Sequence, residues 1–219
     1  MNWSKALIPK ELILEYAGRL SANALFIYLR LLDGQDLGYA AISRKEIKER
    51  TGIAENAQKK HLDELIKVGL IDVLDEHEVQ MNFEFFGANP NDMFFSLNVT
   101  IRNCSGGFIE VPKRLLDIDT VEGVRLKPRH KILLILHLIL SENQGYSFAS
   151  REYLGKKLGA SSLKTITTLN HDLERAGLIK VAAEFKVVEN KPKRKNRYYM
   201  NLDKYHKGAT KRFFEPFAV

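Results

Sequence analysis

Three groups of side chains in this sequence have the types and spacing to bind a polyanion. Five of the nine residues of Glu189-Asn190-Lys191-Pro192-Lys193-Arg194-Lys195-Asn196-Arg197 are basic: Lys191, Lys193, Arg194, Lys195 and Arg197. Ammonium and guanidinium groups so closely set can neutralise successive phosphates and release their counterions. Upstream, Ser161, Ser162, Lys164, Thr165, Thr168 and His171 share one side of a helical repeat whose other side is Leu163, Ile166, Leu169 and Leu173. Hydroxyls at a helix start can cap the helix or donate to phosphates, and Thr165, Thr168 and His171 are placed to reach base edges. Arg151, Lys156 and Lys157 stand one helix earlier as phosphate contacts. A weaker set, Arg44, Lys45, Asn56, Lys59 and Lys60, with Gln58, occupies the corresponding stretch of the first half. Each group also has a plainer reading, as a helix cap or a solvated charged face.

Catalytic and metal chemistry is not legible. There is no Gly-x-x-x-x-Gly-Lys-Ser/Thr phosphate loop. His61, His77, His130, His137, His171 and His206 are scattered, with no zinc spacing and no His-x-His. Tyr198-Tyr199 has the look of a strand-nicking tyrosine pair but lacks the histidine cluster such chemistry uses, and Ser161-x-x-Lys164 is explained by helix capping. The chain therefore reads as non-enzymatic, with no cofactor and no metal.

Two elements must hold these groups, and the order of residues says which. Markers recur in the same sequence in both halves, offset by 103 to 108 residues: Ile8-Pro9-Lys10 and Val111-Pro112-Lys113, Gly38-Tyr39 and Gly145-Tyr146, Ser43-Arg44 and Ser150-Arg151, Gly52 and Gly159, Leu65 to Ile71 and Leu173 to Ile179. This pattern is read as a duplication. In the first half, Ser21 begins a helix to Leu32. Ser43-Arg44-Lys45-Glu46 is a capping box with Ile42 and Ile47 as its hydrophobic staple, ending near Gly52. A third helix spans about Asn56 to Val68, Leu70 to Leu74 is a strand, Asp75-Glu76-His77-Glu78 an acidic turn, and Val79 to Phe86 a returning strand. The alternation of Met93 to Ile101 gives a further strand, either a dimer edge or a partner inside the unit. In the second half, Pro128 opens a helix to Leu140, Ser150 caps one to Leu158, and a third runs from Leu163 to Ala176. Ile179 to Val188 and Arg197 to Leu202 then form a hairpin tipped by the basic nine residues. The expected fold is α+β, predominantly helical, with two tandem winged helix-turn-helix domains, 1-105 and 106-219.

Ser150-x-x-x-Leu154-x-x-x-Leu158-Gly159, a capped helix, then Leu173-x-x-x-Gly177-Leu178-Ile179 resembles the signature of bacterial winged-helix proteins. Val111-Pro112-Lys113-Arg114-Leu115-Leu116 resembles the N-terminal domain of plasmid and phage replication initiators of the Rep family. The resemblance implies a protein that binds double-stranded DNA at repeated origin sites, with host replication proteins as partners and one unit shared between homodimerisation and DNA contact. The other readings are a winged-helix transcriptional regulator and a winged-helix interaction scaffold.

Charge agrees with this division of labour. Residues 1-105 carry 12 Lys+Arg and 15 Asp+Glu, a net −3, and the remainder carries 22 and 12, a net +10, within a total of +7. A basic surface concentrates nucleic acid, so the second half is expected to make the main DNA contact. The most apolar stretch, Ile132 to Leu140, is too short to span a bilayer. A single cysteine, Cys104, and no basic-then-apolar leader lead to an expected cytoplasmic location. The tail Lys204 to Val219, with Phe213, Phe214 and Phe217, reads as a basic segment that docks on the core or binds a partner.

Overall fold

The computed structural model describes residues 5-33, 38-75, 79, 92-100, 102-188 and 191-202, with side chains at all of these except 186-188 and 191-194. The fold is mixed α+β and divides into two compact units, Ala6–Glu110 and Val111–Val219, the second also taking Met1–Lys5. The sequence division at 105/106 falls a few residues before this boundary.

The first unit opens with strand β1 (Lys5–Pro9), which pairs with β5 (Phe108–Pro112) at the unit's end. A short π-helical turn, Leu12–Tyr16, precedes α1 (Ala22–Asp33). Ser21 caps α1 as its sequence suggests, its hydroxyl accepting from Ala24 N–H at 3.2 Å. Leu25, Phe26, Ile27, Tyr28, Leu29 and Leu31 are all buried, so α1 is enclosed on every side rather than on one face. Strand β2 (Tyr39–Ile42) leads to α2 (Arg44–Thr51), a turn, and α3 (Glu55–Lys67). The capping box at Ser43 is half made. Ser43 Oγ accepts from Glu46 N–H at 3.1 Å, but the Glu46 carboxylate pairs with Arg50 one turn on, while Ile42 and Ile47 are both buried.

Strand β3 (Ile71–Val73) follows, and β4 (Met93–Leu97) lies between β2 and β3, antiparallel to both, with Ala40 opposite Phe95 and Ile71 opposite Leu97. Of the stretch Met93 to Ile101 expected as a strand, Met93–Leu97 forms one, and it is the central strand of its sheet. Its hydrogen-bonding edges are both used within the unit, and it is not a dimer edge. Of the predicted strand Val79 to Phe86 only Val79 is described, and it is helical, its N–H donating to Asp75 O at 2.9 Å; the rest of that strand, most of the acidic turn Asp75 to Glu78 and the tail Lys204 to Val219 lie outside the described residues.

The second unit repeats the order. A short helix α4 (Lys113–Asp117) and the hairpin β6 (Thr120–Val121) and β7 (Val124–Arg125) precede α5 (Pro128–Ser141), where Pro128 takes the first turn, as its fixed φ and missing N–H favour. Strand β8 (Tyr146–Ser147), α6 (Arg151–Lys157), a turn, and α7 (Leu163–Arg175) follow. The last described elements of the unit are a long hairpin, β9 (Ile179–Val188) and β10 (Lys191–Met200), with β10 again the central strand, between β8 and β9.

Two expectations are corrected here. Strand β10 begins at Lys191, six residues before the predicted start at Arg197, with Lys191 opposite Val188 and Arg197 opposite Ala182. The basic residues therefore stand on a strand and not in a loop. Once the turn is closed, each further ladder pair satisfies backbone groups that a loop would leave to water, so the register runs to the tip. Leu163, assigned to the buried stripe of α7, is 41% exposed, whereas Ile166, Leu169 and Leu173 are buried.

The core of this unit contains a polar network that periodicity gives no sign of. His137 of α5 is fully buried. Its Nε2 donates to Asn170 Oδ1 at 2.9 Å, its Nδ1 lies 3.1 Å from Ser147 Oγ, and its ring centroid is 4.4 Å from that of Tyr198. Burial pushes its pKa down to about 4, against the opposing effect of the Asn170 hydrogen bond.

Candidate nucleic-acid interface

Helix α7 presents the cleanest candidate surface. Ser162 is its N-cap, the hydroxyl accepting from Thr165 N–H at 3.3 Å and lying 3.1 Å from Thr165 Oγ1. Both hydroxyls at the start are thereby engaged in the cap, and Ser161, Lys164, Thr168 and His171 remain exposed along the outer face. The acids of this helix are partnered within the protein, although Glu174 also lines the groove beside α7. Asp172 lies 3.2 Å from His130 Nε2, and Glu174 accepts from Val181 N–H at 3.0 Å. No acidic residue stands in the first turn, so the positive end of the helix dipole is not offset by a side chain.

Thr167 belongs to the same exposed surface and was missed by the sequence reading. It donates to Leu163 O at 3.1 Å and lies 3.5 Å from the Arg151 guanidinium, which reaches over from α6. Its position one residue beyond Ile166 was the only signal for it. Arg151 and Lys156 are exposed, and Lys157 lies 5.9 Å over the Tyr153 ring. A groove between α6, α7 and β10 is lined by Phe148, Arg151, Thr167, His171, Lys195 and Tyr198, among others, and also by the carboxylates of Glu152 and Glu174, so it brings candidates from three elements together in a mixed-charge setting.

On the hairpin, Lys195 is exposed. Arg197 is committed to the protein: its Nε and NH2 bond Glu184 at 3.0 and 2.9 Å, and its guanidinium carbon lies 4.7 Å over the Tyr146 ring. Lys191, Lys193 and Arg194 are placed on β10 by its register.

The first unit's set is brought together but mixed in charge. Asn56, Lys59 and Lys60 line one shallow groove on α3 with Asp63, Glu64 and Lys67. Glu55 stands in the first turn of α3 and pairs with Lys48 at 3.9 Å, which places a carboxylate where a phosphate would approach. Arg44 and Lys45 are exposed at the start of α2, Lys45 4.0 Å from Glu49, and Gln58 is buried, donating to Arg44 O and Ile53 O.

Among the described residues no cluster of three or more His, Cys, Asp or Glu could hold a metal, and no helix is long and apolar enough to cross a membrane. No protein-family model matches the chain, and no curated protein matches it.

Proposed function

We infer that the chain binds duplex DNA in a sequence-selective manner through two winged helix-turn-helix units that arose by duplication, with the second unit making the main contact. The observation that carries this reading is the surface of α7. Its first half combines an open N-terminus, exposed hydroxyls and Lys164, with no carboxylate, and His171 follows on the same outer face, beside a lysine- and arginine-rich strand of the same unit. In this reading α7 enters the major groove, Thr168 and His171 meet base edges, Lys164, Arg151 and Lys156 contact phosphates, and the hairpin follows the backbone. The first unit, with its mixed α3 surface, contributes secondary DNA contacts or homodimerisation.

The biological role proposed is replication initiation at repeated origin sites of a plasmid or phage, acting in the cytoplasm with host replication proteins and without catalysis or cofactor. Selection from random duplex DNA at moderate salt tests both levels. A recovered motif that recurs in tandem, together with maintenance of a plasmid bearing it, is the expected result. A motif found only as isolated promoter operators, with no origin activity, would replace the initiator with a transcriptional regulator.

A further inference from the structure

The sheet β8-β10-β9 has two unlike faces. One packs on the helices: Ser147 and Tyr198, paired in register, are buried against His137. Strand alternation turns the next pair, Tyr146 and Tyr199, to the other face. There the rings of Phe148, Tyr146 and Tyr199 form a row, with centroids 6.2 Å apart from Phe148 to Tyr146 and 5.5 Å from Tyr146 to Tyr199. Phe148 is 55% exposed, and the two tyrosines are half-buried.

The same face is cationic. Arg197 lies over Tyr146, Lys180 stands opposite Tyr199, and Lys195 opposite Glu184, with Lys180 and Lys195 both exposed. Glu184 is paired with Arg197. By register, positions 186, 191 and 193, all lysine, fall on this face as well.

We propose that this outer sheet face binds single-stranded nucleic acid, the aromatic row stacking unpaired bases while Lys180, Lys195 and the lysine positions of the hairpin follow the phosphates. Flat rings between cations suit a strand whose bases are free to stack. A duplex keeps its base faces covered and could use only the charges. Phe148 and Lys195 also line the groove beside α7, so the two surfaces adjoin, and a loss larger on single strands than on duplex is what assigns the aromatic row to unpaired bases.

The test uses the full chain and labelled oligothymidylate, oligouridylate and a random duplex, with binding followed by fluorescence anisotropy at low salt. The wild type binds a single strand, and preference between thymidylate and uridylate tells DNA from RNA. Phe148→Leu keeps apolar bulk and loses about tenfold in single-strand affinity, the order expected for one stacked base, with a clearly smaller loss on duplex. Phe148→Trp restores or tightens binding, which a loss through misfolding would not allow. No single-strand binding by the wild type, wild-type affinity in Phe148→Leu, or equal loss for single strand and duplex would overturn the proposal. Single-strand binding with no duplex binding would leave it standing and remove the duplex reading instead.

Discussion

Asn98 and Asn201 make the same two hydrogen bonds in their respective units. Each side-chain Nδ2 donates at 3.0 Å to the carbonyl of the glycine that ends the unit's third helix, Gly69 and Gly177. Each backbone N–H donates to the carbonyl of the next residue, Leu70 at 3.0 Å and Leu178 at 2.9 Å. Both glycines have positive φ, 70° and 64°, which only glycine adopts without strain. The asparagine thereby fastens the central strand of the sheet to the helix exit. Replacing Asn201 by alanine should lower stability by about 1 kcal/mol, the net value of a typical hydrogen bond, and replacing Asn98 by somewhat more, because its Nδ2 also donates to Asp72 Oδ2 at 2.8 Å. Urea midpoints at constant slope would measure this. A large loss at one site with none at the other would weaken the proposed equivalence of the units.

His137 supplies a pH dependence with a definite sign. Its folded pKa, about 4, lies below its ordinary value of 6.5, so the unfolded chain binds the extra proton. Stability from this group is complete above about pH 6.5 and is lost as the pH falls toward 4, by about 3 kcal/mol in all. Denaturant unfolding at neutral and acidic pH should show the loss, and His137→Gln should flatten the dependence in that window. An unchanged profile in the variant would mean that the imidazole can protonate in place.

Gly155, on α6, is buried with negative φ. A methyl group built there meets only Ile166 Cγ1 at 3.7 Å and Leu163 Cδ2 at 3.8 Å, ordinary contact distances. Gly155→Ala should therefore be tolerated and gain about 0.5–1 kcal/mol from helix propensity. A lower melting temperature would show that α6 and α7 pack too tightly for one methyl.

On the proposed reading helix, Thr168→Ala and His171→Ala should change the preference between DNA sequences more than the overall affinity. Competition between a selected duplex and a scrambled one measures this directly. Equal weakening on both would assign these residues to the phosphate backbone.

Local signals in the sequence located the helices well. Ser43, Ser150 and Ser162 cap where their spacing says they should, because a hydroxyl three residues before a free N–H needs no tertiary context. Contacts across the chain were not legible. Nothing in the periodicity of α5 or α7 marks His137 and Asn170 as partners, since they lie 33 residues apart on different helices. Arg197 looked like a free cation because Glu184 becomes its neighbour only through the strand register. The same register, which depends on where the turn closes, moved the basic residues from a loop onto β10 and gave the sheet its aromatic outer face.

The most direct test of duplex binding by the second unit is the salt dependence of affinity for a selected duplex, wild type against a Lys193→Ala, Arg194→Ala, Lys195→Ala triple variant. The wild-type affinity should fall linearly with salt on logarithmic axes. The variant should bind every duplex more weakly, with the slope reduced by roughly one unit per lost phosphate contact. No measurable duplex binding by the wild type at low salt, or an identical slope in the variant, would contradict the assignment of this hairpin to the DNA backbone.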